Sequence, residues 1–203
     1  MNDQDWNQRY LDGRADWPPD PSQRLAEAVR HLTPGSALDL ACGTGRNALH
    51  LARRGWSVTA IDFAEEALKI ARERAHREEL AIDWRREDLL AWTPPEAVYD
   101  LVLICYLHIP WDSYRQVLTK AEQALRSGGH LVILGHDLNN ITEGTGKPKY
   151  TEVAYTADDI AGALTRCKVV QAYRDHRVPD HNAADRPGIF QIDCVVKAVA
   201  LQL

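Results

Sequence analysis

Apolar positions along the chain switch repeatedly between short continuous runs and helical spacing. Residues 36–41 and 56–61 are compact apolar runs, and each is followed by a stretch whose apolar residues share one helical face. In the first stretch these are Ala48, Leu51 and Ala52, and in the second Ala64, Ala67, Leu68, Ala71 and Ala75. Short runs beside a period near 3.6 read as buried strands alternating with helices. Residues 98–105 form the most continuous run, 81–85 a weaker strand, and 130–136 a fifth. A helix starts at Asp20-Pro21-Ser22-Gln23, with Asp20 as cap and Pro21 at the first helical position, and stops at Pro34-Gly35. A further helix carries Tyr114, Val117, Leu118, Ala121, Ala124 and Leu125, capped by Asp112 and closed by Gly128-Gly129. Thr156-Ala157-Asp158-Asp159 opens a shorter one, and residues 167–178 and 189–200, flanking a turn around Pro187-Gly188, read as an antiparallel pair.

A helix, five strand–helix units and a final hairpin predict a Rossmann-like α/β fold. Its doubly wound sheet has seven strands, mostly parallel, with an antiparallel C-terminal hairpin at the edge. One domain spans residues 1–203, with an N-terminal arm over 1–21 and a polar, glycine-rich loop over 137–155 on the substrate side. In such a sheet the ligand lies beyond the C-terminal strand ends, where strand order reverses. Charge narrows the ligand: 29 acids against 24 bases argue against a nucleic-acid partner. The longest apolar run, 101–107, is far short of a bilayer span, and the polar N-terminus lacks a signal-peptide pattern. Four cysteines, at 42, 105, 167 and 194, form no CxxC pair, which suits the cytoplasm and gives neither a metal site nor a disulfide framework. A monomer or weak homodimer is the expected state.

The chemistry-bearing residues sit where strands end. Gly43-Thr44-Gly45-Arg46-Asn47-Ala48 follows a strand and opens a helix, so glycines allow a tight turn beside exposed helix amides. Asp62 ends the next strand, where a carboxylate accepts both hydroxyls of a ribose. Asp39, just before the glycine turn, would repel a pyrophosphate but suits a cation, and Asp88 follows the third strand, within reach of an adenine amino group. An ammonium, a ribose diol and an adenine occur together in S-adenosylmethionine. A nicotinamide-dependent oxidoreductase remains an alternative on the GxGxxA string and Asp62. A binding module that holds S-adenosylmethionine without catalysis is another.

On these residues the sequence resembles class I S-adenosylmethionine-dependent methyltransferases. The matching pieces are Leu38-Asp39-Leu40-Ala41-Cys42-Gly43-Thr44-Gly45, Thr59-Ala60-Ile61-Asp62-Phe63, Glu87-Asp88-Leu89, Tyr99-Asp100-Leu101-Val102 and Leu125-Arg126-Ser127-Gly128-Gly129-His130-Leu131. The resemblance implies that Asp39 meets the methionine amino end, that Gly43 and Gly45 shape the loop, and that Asp62 holds the ribose. It implies that Asp88 and Leu89 frame the adenine, with Ala41, Arg46, Asn47, Phe63 and Cys105 lining the same cofactor site. Ala41 departs from the family, which most often has glycine there. A narrower similarity, to the small tellurite-resistance and thiopurine-methyltransferase-like branch, rests on Trp6-Asn7-Gln8-Arg9-Tyr10, Gly45-Arg46-Asn47, Tyr106-Leu107-His108-Ile109-Pro110 and Gly135-His136-Asp137. It implies a small methyl acceptor, with soft sulfur, selenium or tellurium nucleophiles among the candidates. It also implies an arm that folds over the cofactor through Trp6 and Tyr10, with Arg9 and Trp17 beside them. In-line displacement draws its catalysis from orientation and water exclusion. His108 and His136, at two strand ends, are the candidate catalytic bases, and Asp137 is a candidate to orient His136.

Overall fold

The computed structural model describes residues 3–13, 20–145, 148, 150–178 and 190–202. Trp17 and the turn at Pro187-Gly188 lie outside them. The elements run α1 (Asp3–Leu11), α2 (Gln23–Val29), β1 (Ser36–Leu40), α3 (Arg46–Arg53), β2 (Ser57–Asp62), α4 (Glu65–Arg77) and β3 (Ile82–Arg86). Then follow β4 (Tyr99–Cys105), α5 (Trp111–Ala124), β5 (Leu125–His136), α6 (Ala157–Ala163), β6 (Cys167–Arg177) and β7 (Gln191–Ala200). The seven strands form one sheet in the order β3-β2-β1-β4-β5-β7-β6. Every neighbouring pair from β3 to β5 is parallel, and β7 alone runs against its neighbours, slotted between β5 and β6. This is the expected doubly wound sheet with an antiparallel edge. Strand order reverses between β1 and β4, so the ligand crevice of such a fold opens beyond Leu40 and Cys105.

Both faces of the sheet are covered, which is why its strands read as continuous apolar runs. Alternation along β4 divides them: Val102 and Ile104 join a core with α5 and Ile160 of α6, while Leu101 and Leu103 join a core with α2, α3 and α4. On β1, Leu38 and Leu40 belong to the first core and Ala37 to the second. Asp39 therefore points with Ala37 to the face that α3 covers.

Several local boundaries differ from the sequence reading. α2 starts after Ser22, whose carbonyl accepts the Ala26 amide at 3.0 Å, so Asp20 is not its cap. Two polar residues two positions apart are equivalent local signals, and burial of Leu25 and Val29 sets the start. α5 begins at Trp111, capped by Pro110, because the Trp111 ring packs against Tyr155 at 4.8 Å; Asp112 sits in the first turn and pairs with Arg115. The same helix ends at Ala124 rather than at Gly128-Gly129, since Leu125 is already extended and paired with Tyr99. The register then slips between Tyr99 and Leu101 as the chain bulges outward. Gly129 is required in that bulge: a Cβ there would lie 2.9 Å from the Arg126 carbonyl oxygen and 3.0 Å from that of Tyr99. One strand–helix unit lacks its helix. Residues 87–98 cross from β3 to β4 in turns and irregular chain, as Pro94-Pro95 demands. Lys120 of α5 secures the crossing by donating to the carbonyls of Leu89, Leu90 and Trp92 at 2.6–2.8 Å.

Candidate functional site at the strand ends

Beyond β1 the chain makes three left-handed steps, Ala41 at φ 59°, Gly43 at 54° and Gly45 at 80°. Gly45 caps α3 and faces Trp84 so closely that a Cβ would lie 2.5 Å from the indole, so glycine is required on both counts. Ala41 holds a conformation that costs a residue with a Cβ about 1–2 kcal/mol. It stands where the sequence departs from the family's glycine. Asp62 fixes the loop from the neighbouring strand, accepting the Gly43 amide at 2.8 Å and the Ala64 amide at 2.9 Å. The carboxylate keeps acceptor capacity for a further donor. Burial raises the Asp62 pKa, against the pull of the Ala64, Gly43 and Phe63 amides. Phe63 follows it, half-buried, at the entrance to α4.

Asp39 is fully buried, and neither carboxylate oxygen has a hydrogen-bond partner among the described residues. Burial first, and the nearby Asp62 carboxylate second, push its pKa up to about 7, with Arg46 and the Ala48 amide opposing. An uncompensated carboxyl in a core costs several kcal/mol when charged. A cation beside the glycine turn would compensate it. Asn47, in the first turn of α3, adds a second buried, unpartnered acceptor, Oδ1. Cys105 is buried at the end of β4, where burial, then Asp39, raise its thiol pKa and keep it unreactive.

Asp88 and Leu89 stand just past β3, whose last residue pairs with Asp62. Leu89 is buried, and the exposed Asp88 accepts the Leu90 amide at 2.9 Å through one oxygen. α1 lies over this rim. Asn7 accepts the Glu66 amide at 3.0 Å, and the Tyr10 hydroxyl stands 3.1 Å from where a Cβ on Gly43 would be. The Trp6 ring lies tilted against Tyr10 at 6.0 Å and under the Arg9 guanidinium at 5.2 Å.

His108 and His136 come together on the β4–β5 side, their rings stacked at 5.3 Å. Burial, then His136 and Arg9, lower the His108 pKa to about 3, and its Nε2 is buried without a partner. Asp137 does not orient His136; it accepts the Asn139 amide at 2.9 Å and caps a helical turn over Leu138–Ile141. His136 meets two residues of β7 instead, its Nδ1 lying 3.0 Å from Asp193 Oδ1 and 2.6 Å from Gln191 Nε2. Asp193 also accepts from Tyr106 at 2.8 Å and from Arg177 Nε at 2.6 Å. Burial raises its pKa, but the His136 hydrogen bond and the Arg177 charge win and hold it below the usual carboxylate value. Spacing along the chain points to none of Asp193, Arg177 and Gln191, and to Tyr106 only as part of the Tyr106–Pro110 motif. The available signal was a lone acid in the apolar run Ile192-Asp193-Cys194-Val195. The loop over 137–155 is anchored at both described ends. Asn140 accepts the Ile192 amide at 2.7 Å, and Tyr155 is buried and donates to the Ile109 carbonyl.

Residues 37–129 match the family described as "Methyltransferase domain". The demethylmenaquinone methyltransferase of Thermus thermophilus is 34% identical over 114 residues, covering 55% of this chain and 52% of that protein. The chain spans about half the length of the curated relatives it matches. The crystal structure of TehB from Haemophilus influenzae aligns with a TM-score of 0.75 at 17% identity, over 96% of this chain and 67% of that one. The N-methyltransferase NodS from Bradyrhizobium japonicum, in complex with S-adenosyl-L-homocysteine, aligns at 0.71 and 19% identity, over 97% and 99%.

Proposed function

We propose that this protein, whose residues 37–129 match a methyltransferase domain, is a class I S-adenosylmethionine-dependent methyltransferase that transfers a methyl group to a small-molecule acceptor in the cytoplasm. The observation that carries the reading is Asp39, a fully buried carboxyl without a partner where strand order reverses. A ligand with an ammonium group satisfies it, whereas the pyrophosphate of a dinucleotide would meet a like charge. Asp39 and Asn47 would hold the amino-acid end, Asp62 the ribose, and Asp88 with Leu89 the adenine; Ala41, Gly43, Gly45, Arg46, Phe63 and Cys105 would line the cleft. When bound, S-adenosylmethionine supplies a methyl group activated by a sulfonium. The chain's own part is orientation and dryness. Asp62 sets the glycine turn, α1 with Trp6 and Tyr10 closes the rim, and the stacked histidines face the acceptor side.

Thermal unfolding tests the reading. S-adenosylhomocysteine at about 100 times its Kd should stabilise the protein by ~2.7 kcal/mol, while NAD and NADP leave it unchanged. Transfer of a labelled methyl group then separates an enzyme from a binding module. Stabilisation by NAD and none by S-adenosylhomocysteine would overturn the assignment.

A further inference from the structure

We propose that Lys120 of α5 is a positioning residue for the nucleobase: it holds the turn over 88–92 in the shape that lets Asp88 select adenine by its exocyclic amino group. The inference rests on the methyltransferase reading above and adds to it the device by which the cofactor site chooses its base.

The chain between β3 and β4 starts as a helix and stops at once. The Ala91 and Trp92 amides donate to the Asp88 carbonyl at 3.0 and 2.7 Å, which makes a single helical turn. A lone turn is unstable by itself, because fixing its dihedrals yields too few hydrogen bonds. Continuing it would require residue 94 to donate to the Leu90 carbonyl, and Pro94 has no N–H to give. The carbonyls at the end of such a turn need donors from elsewhere. Lys120 supplies them. Its ammonium donates to the carbonyls of Leu89 at 2.8 Å, Leu90 at 2.6 Å and Trp92 at 2.7 Å. An ammonium has three N–H groups, so this one turn takes them all.

The other end of the turn is tied to the cofactor cleft. Glu87, just before it, donates its amide to the Asp62 carbonyl at 3.1 Å, and the Asp62 side chain holds the Gly43 amide. Asp88 folds back so that one carboxylate oxygen accepts the Leu90 amide at 2.9 Å. That bond sets the direction of the carboxylate and leaves its second oxygen as an acceptor for an amino group. Leu90 thus aims Asp88 through its amide, while its carbonyl is held by Lys120. Leu89 and Trp92, on either side, are buried in the core that α5 covers. Clamped at Asp62 and at Lys120, the turn presents a fixed acceptor to the edge of the base. A carboxylate there accepts from the amino group of adenine and repels the carbonyl oxygen of hypoxanthine. Released from Lys120, the turn loosens and the discrimination weakens, while the ribose and amino-acid contacts stay in place.

Calorimetric titration of the full chain with S-adenosylhomocysteine and with S-inosylhomocysteine, whose base has a carbonyl in place of the amino group, tests this without turnover. The wild type should prefer the adenosyl compound by about 10–150-fold, the worth of one hydrogen bond to a charged group. Lys120→Met keeps an apolar stem and removes the donors. It should weaken S-adenosylhomocysteine by about tenfold and leave S-inosylhomocysteine nearly unchanged, so the preference falls by the same factor. A lysine that only braced the fold would lower both affinities together, or the melting temperature alone. In Asp88→Asn, whose amide can also donate, the preference should already be lost, and adding Lys120→Met should change it no further. Lys120→Arg keeps the charge, but its planar fork does not converge on three carbonyls; it should show an intermediate preference, and it carries the test if the methionine variant fails to fold. A wild type that binds both compounds alike, a preference unmoved in the folded Lys120 variants, equal losses for both ligands, or a Lys120 effect undiminished in the Asp88→Asn background would overturn the proposal. Failure of the wild-type chain to bind S-adenosylhomocysteine at all would instead overturn the reading beneath it.

Discussion

Replacing Asp39 with asparagine should make the ligand-free protein more stable and the liganded one weaker. The carboxyl moves from an ordinary 3.8 to about 7 on folding. At ~1.36 kcal/mol per pH unit, its charged form is disfavoured by up to about 4 kcal/mol in the native state. The sign follows from which state holds the proton. Between about pH 4 and 7 the unfolded chain has released it and the folded chain has not, so the wild type loses stability as pH rises through that window. Asparagine has nearly the same shape, stays neutral, and inherits the same unpartnered surroundings. Its advantage should be near zero at pH 4, grow to roughly 2–4 kcal/mol by pH 8, and then level off. In a chain of this size that is about 5–15 °C in melting temperature. The loss appears in ligand affinity: without a charged partner for the ammonium, S-adenosylhomocysteine should bind about 10–150-fold more weakly. Its wild-type affinity should also rise with pH up to about 7, a dependence the variant should lack. Denaturant unfolding across pH 4–8.5 and calorimetric titration measure both. A stability difference that does not vary with pH, or an unchanged affinity, would refute the assignment of Asp39 as an unpaired ion awaiting a cation.

Asp62→Ala should reduce S-adenosylhomocysteine affinity by a similar factor. It should also cost roughly 2–4 kcal/mol of stability, because the Gly43 and Ala64 amides both lose their acceptor; urea unfolding with a wild-type midpoint would show that the loop does not depend on it. Deleting residues 1–13 should leave the sheet folded by circular dichroism, since α1 contributes no strand. It should weaken S-adenosylhomocysteine binding by about tenfold or more by opening the rim at Gly43 and Glu66 to water; a truncated chain of full affinity would make α1 a packing element only.

The sequence by itself determined the parts whose signals are local. Strands buried on both faces announce themselves as apolar runs, and helices covering them as a 3.6 period, because each element's burial is written in its own residues. The glycine turn with Asp39 and Asp62 was legible for the same reason: each follows its own strand, and parallel strands bring their ends to one edge. The exact helix starts were not, since Asp20 and Ser22 offer equivalent short-range signals and Asp112 is a better capping signal than Pro110, so only packing of Leu25 or Trp111 sets each start. Tertiary structure alone decided that β7 inserts between β5 and β6, and with it that Asp193 meets His136 across 57 positions of chain. It alone left Asp39 without a partner, because whether a buried carboxylate is satisfied depends on every element packed around it. Spacing along a chain encodes what one segment buries, but a hydrogen bond between strands depends on register set by the whole sheet.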